Sequence, residues 1–186
     1  MLKEKDICVQ YFYTRIGRNG LIKDLNTQAL TDKKREGLFT AIYTGAIFII
    51  IALIYFIHLP SGLWDSIVNF FSTLTLAQVP STGVFLPAPA NPAAHIELYT
   101  ALFQFSLGIG ILEIIILALR VALHSSVSRK AETVENIVFS LGTSYLIITY
   151  LVNMTIPSEW FVFWSGIILI FGLSLVARAF VLLAKR

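Results

Sequence analysis

Lys33-Lys34-Arg35-Glu36 gives way to FTAIYTGAIFIIIALIYFIHL, Phe39 to Leu59, and this boundary decides the fold. The stretch of 21 residues holds no Asp, Glu, Lys or Arg. A helix rising about 1.5 Å per residue needs ~20 apolar residues to cross the hydrocarbon core of a bilayer. Three more runs are as long: about 98–119, 136–156 and 160–183. Inside lipid every backbone N–H and C=O must be paired within the segment, so such runs are helices. None alternates with the period of a strand. The sequence therefore predicts an all-α integral membrane protein with four transmembrane helices.

Composition supports this. Hydrophobic residues make up 56% of the 186 positions and charged residues 13%, against about 25% charge in soluble domains. Too little polar surface is available to cover such a chain in water. The formal charge of +3 is small and segregated. The N-terminal region mixes eight basic with five acidic residues, which argues against a nucleic-acid partner. Cys8 is the one cysteine, so neither an intrachain disulfide nor a cysteine-rich metal site is expected.

Lys and Arg orient the spans. They fall between Lys3 and Arg35, at Arg120, Arg129 and Lys130, and at Arg178, Lys185 and Arg186. The segments 60–97 and 157–159 carry none. Basic loops stay cytoplasmic, and an even number of spans places all three clusters on one face. Both termini are expected in the cytoplasm of a multi-pass cell-membrane protein. The charged start is not a cleavable leader, so the first span is expected to act as its own targeting signal. Trp160, Trp164 and Tyr150 fall in the outer aromatic belt.

Residues 1–38 form an amphipathic cytoplasmic region with a turn at Gly17-Arg18-Asn19-Gly20; its flanks either lie on the lipid surface or pair as a hairpin. Residues 39–186 form the transmembrane domain. In the outer loop, 60–97, apolar residues from Leu63 to Leu74 recur at helical spacing. Ser61 is the expected N-cap of an interfacial or re-entrant helix reaching Gln78. Beyond it, Pro80, Pro87, Pro89 and Pro92 predict an extended, polyproline-like path without secondary structure. It reads as a spacer or as a docking surface.

Glu113 is the one acidic residue well inside a span, about 22 Å along the second helix from Leu98 at 1.5 Å per residue. Tyr99, Ser106, Gly110, Glu113 and Arg120 share its stripe. A charge at such depth faces other helices rather than lipid. At the same depth lie Thr44 on the first span, Asn136, Ser140, Thr143 and Ser144 on the third, and Arg178 on the fourth. These residues form the candidate site: a buried polar cluster around Glu113, with Arg178 as the expected partner. Two alternatives stay open. Arg120 pairs with Glu113 along its own helix, or Arg178 snorkels to the headgroups.

His58, His95 and His124 fall at span ends or in loops, which argues against a bis-histidine haem within the bilayer. HExxH, phosphate loops and paired catalytic carboxylates are absent from the sequence. Ser106-Leu107-Gly108-Ile109-Gly110 reads as helix packing, and no cofactor is expected. The leading functional expectation is a non-enzymatic structural or accessory subunit that binds lipid and either other membrane proteins or itself. A homo-oligomeric transporter or channel using the Glu113 cluster is the alternative, and a lipid-modifying enzyme the third.

Overall fold

The computed structural model describes residues 37–153 and 158–184. Of the expected amphipathic region 1–38 only Gly37 and Leu38 are described; its turn and Cys8 fall outside the described residues. The chain divides into two compact units, Met1–Thr44 and Gly45–Arg186. From the first, only Gly37–Thr44 is described, and it is helical.

Four helices are long and apolar enough to cross a membrane. The first, α1, is Gly37–Ile57. α3 is Ile96–Ala122, α4 is Val127–Ile147, and α5 is Glu159–Leu183. A wider π turn, Ile148–Val152, extends α4. The chain is thus a multi-pass membrane protein, with four candidate spans among the described residues. α4 begins well before the expected start at Asn136, so Arg129, Lys130 and Glu135 are helical rather than loop residues.

The segment between α1 and α3 departs most from expectation. A 3-10 turn, Leu59–Ser61, carries Pro60 near its start. Gly62 then takes φ +71°, a left-handed conformation that costs glycine little and other residues more. Gly62, not Ser61, is therefore the N-cap of α2, Leu63–Ser72. α2 stops short of Gln78. The hydroxyls of Ser72 and Thr73 both donate to the Asn69 carbonyl, at 2.9 Å each, and compete with helix continuation.

After α2 the chain forms a hairpin, so the fold is predominantly rather than wholly helical. β1, Leu74–Gln78, pairs antiparallel with β2, Phe85–Pro89. Two of the prolines expected to keep this stretch free of secondary structure, Pro87 and Pro89, sit inside a strand, and their spacing explains why. Leu76 faces Pro87 and Leu74 faces Pro89. The ladder bonds lie at the alternate positions, as Val79 N–H to Val84 O (2.9 Å) and Ala90 N–H to Thr73 O (3.0 Å) continue them. Prolines two apart both fall where the N–H would point away from β1, so their missing donors interrupt nothing. A short 3-10 turn, Pro92–His95, leads into α3.

α4 makes the most extensive contacts, with α3 and with α5. Glycines set the close approaches. A Cβ on Gly110 of α3 would collide with the Leu141 side chain of α4. A Cβ on Gly166 of α5 would lie 2.9 Å from Leu146 Cδ1, and one on Gly142 of α4 would lie 2.7 Å from Ile170 Cγ2 of α5. Small residues at these crossings let backbones approach, the main source of packing energy where lipid is as apolar as leucine. Ala88, Tyr99, Leu146, Ile147, Leu151, Trp160 and Phe163 form the core near the hairpin. Trp160 Nε1–H donates to the Pro87 carbonyl at 3.2 Å and ties β2 to α5.

Candidate functional site

The expected cluster lies in the half of the α3–α4–α5 layer away from the hairpin. Glu113 is buried, 3% exposed, on α3. Its stripe turns toward α4 because Gly110, one turn earlier, admits Leu141. Asn136 of α4 donates its Nδ2–H to Glu113 Oε1 at 3.0 Å. A carboxylate out of water needs such donors, because burying a charge without them costs several kcal/mol.

Arg178 does not meet Glu113. Its Nη1 donates to Glu135 Oε2 at 2.9 Å, making an α5–α4 ion pair. The Glu135 side chain is only 17% exposed. Depth along the helices places Glu113 and Arg178 at one height. It does not fix direction, and α4 packs against both α3 and α5. Asn136 and Glu135 are adjacent on α4, about 100° apart around a helix of 3.6 residues per turn. One therefore reaches α3 and the other α5.

The remaining expected residues divide. Ser140 is buried, and its backbone carbonyl accepts from Ser106 Oγ of α3 at 2.8 Å. Ser144 is buried on α4, and the Thr143 hydroxyl is buried without a hydrogen-bond partner. Thr44 is exposed on α1. Arg120 reaches from the last turn of α3 to α4. Its Nη1 donates to the Arg129 carbonyl at 2.6 Å and to Thr133 Oγ1. Thr133, 1% exposed, donates in turn to the Arg129 carbonyl at 2.9 Å.

A second polar group, not anticipated from the sequence, lies at the hairpin end. His58 follows α1 and is 8% exposed. Its Nδ1 lies 3.3 Å from Glu97 Oε2, and its Nε2 lies 3.0 Å from Gln104 Oε1. Glu97 and Gln104 are two turns apart on α3, so one imidazole bridges both. Their spacing of seven was the available signal. Nearby, His95 is 1% exposed; its Nε2 lies 3.0 Å from Thr73 Oγ1, while its Nδ1 and the Tyr99 hydroxyl are buried without partners. Phe70 of α2 meets the His95 and Tyr99 rings edge-on.

Chemically, these arrangements connect helices. Among the described residues no three His, Cys, Asp or Glu side chains gather closely enough to hold a metal ion. Among the described residues, polar side chains link α3 to α4, α4 to α5 and the end of α1 to α3. No protein-family model, curated protein or solved structure matches the chain.

Proposed function

We propose that this chain is a structural or accessory subunit of the cell membrane, with both termini cytoplasmic, that binds other membrane proteins or itself. One observation carries the proposal: four polar contacts within the spans tie one helix to the next. Glu113 accepts from Asn136, Arg178 donates to Glu135, Arg120 donates to Thr133, and Ser106 donates to the Ser140 carbonyl. Such groups lock helices in register and leave the apolar faces for recognition.

Those faces are extensive. On α1, Phe48, Ile49 and Phe56 are each at least 67% exposed. On α5, Leu169 and Phe180, on one face, are each at least 66% exposed. The charge asymmetry supports the orientation, with Arg120, Arg129, Lys130 and Arg178 at the cytoplasmic end and the hairpin outside. In this frame α2 lies along the outer interface with Trp64, Val68 and Phe71 toward lipid, all more than half exposed.

The test is native mass spectrometry of the chain extracted from its own membrane in mild detergent, beside ion flux in liposomes. The proposal expects a defined complex with other membrane proteins or with further copies, and flux at the empty-liposome level. A monomer under all conditions, or protein-dependent flux abolished by Glu113→Gln, overturns it in favour of inertness or of the transporter reading.

A further inference from the structure

The hairpin and the start of α5 enclose a cleft of about 350 Å3. Phe70 of α2 lines it, with Leu74 of β1, Leu86 and Pro87 of β2, and Trp160 and Trp164 of α5. The volume falls within the roughly 300–1,000 Å3 usual for small-molecule sites. We propose that this cleft binds one acyl chain of a membrane lipid.

The lining selects hydrocarbon. The indole N–H of Trp160 is already bonded to the Pro87 carbonyl. His95 and Tyr99 pack against Phe70 but do not line the cleft, so their polar atoms are not presented to a ligand. A peptide segment would bring backbone N–H and C=O groups that need partners, and the lining provides none. Water fails for the same reason, since a stable site gives it two to four polar contacts.

Continuity with the lipid-facing surface identifies the source. Trp164 is 52% exposed, and Ile168, one turn further along the same face of α5, is 73% exposed. α5 is one of the four helices able to cross the membrane, so the strip leading into the cleft lies among lipid tails. Trp160 and Trp164 occupy the first two turns of α5, the level at which aromatic side chains mark the interface. A tail moving from bilayer to cleft gains no hydrophobic energy. It supplies the dispersion contacts that an empty apolar cleft forgoes.

Tryptophan quenching by phospholipids with dibrominated acyl chains tests this on the full chain in liposomes. Trp64→Phe with Trp164→Phe leaves Trp160 as the sole indole, lining the cleft and only 6% exposed, so the change in its quenching when the cleft is obstructed reports what occupies the cleft. The proposal expects Trp160 to be quenched as strongly as Trp164 measured alone. Adding Leu86→Phe, which narrows the cleft at β2, should weaken the quenching of Trp160. Unchanged helix content by circular dichroism in liposomes shows that the Leu86→Phe variant inserts and folds; Leu74→Phe serves if it does not. Unquenched Trp160 in the parent background, or quenching undiminished by both Leu86→Phe and Leu74→Phe, overturns the proposal.

Discussion

Replacing Gly142 with alanine would put a methyl carbon 2.7 Å from Ile170 Cγ2 and 2.8 Å from its Cδ1. Unstrained carbon contacts lie at about 3.5–4.0 Å, so α4 and α5 would have to part by roughly 1 Å or Ile170 would have to change rotamer. Overpacking of this kind costs about 1–3 kcal/mol. Gly172 on α5 is the internal control, because a Cβ there meets nothing within 4 Å. Both substitutions add the same helix propensity, so their difference isolates the collision. Reversible unfolding in mixed micelles of mild detergent and dodecyl sulfate supplies the assay. Gly142→Ala should be less stable than Gly172→Ala by about 1–3 kcal/mol, and Ile170→Ala, which deletes both colliding atoms, should remove most of that difference. Equal stability of the two alanine variants, or no rescue by Ile170→Ala, would refute the packing of α4 against α5.

Other consequences are as direct. In double-mutant cycles, Arg178→Gln should couple to Glu135→Gln more strongly than to Glu113→Gln; the reverse order contradicts the observed partners. Glu113→Leu should cost more than Glu113→Gln, because leucine leaves the Asn136 amide without its acceptor, a loss of about 1–3 kcal/mol for a desolvated donor. Unfolding measurements that rank the two equally count against a buried hydrogen bond. His58→Phe and Gln104→Leu should each speed hydrogen exchange at the end of α1, and the double variant should add little beyond either. Full additivity would mean that the two side chains do not share a bond. Trp160→Phe should destabilise the hairpin by at least about 1 kcal/mol, the usual worth of one hydrogen bond, seen as faster exchange in β2; unchanged exchange there contradicts the bond to Pro87.

The four spans are legible because length and apolarity suffice for a helix in lipid. The features that stay hidden in the sequence turn on direction and spacing. Pro87 and Pro89 read as breakers when counted, yet two residues apart they sit on the unbonded edge of β2. Ser61 has the chemistry of a cap, but the backbone after Pro60 needs the left-handed φ that Gly62 adopts. Glu113 and Arg178 match in depth, while the position of α4 between their helices is a tertiary fact that no single-helix stripe contains. Glu135 escapes a span begun at Asn136, one residue too late to include it. His58 taken alone is an interfacial histidine, and its partners emerge only when α3 is seen to present Glu97 and Gln104 together.

The central claim is that the exposed apolar faces serve protein association while the polar groups hold the chain together. A photocrosslinking amino acid at Phe180 of α5, on the same face as Leu169, activated in native membranes, tests it most directly. Discrete adducts with another membrane protein or with a second copy of the chain are predicted, lost when Leu169 is changed to a bulkier residue. Adducts with lipid alone, from this position and from Phe48 of α1, would contradict it.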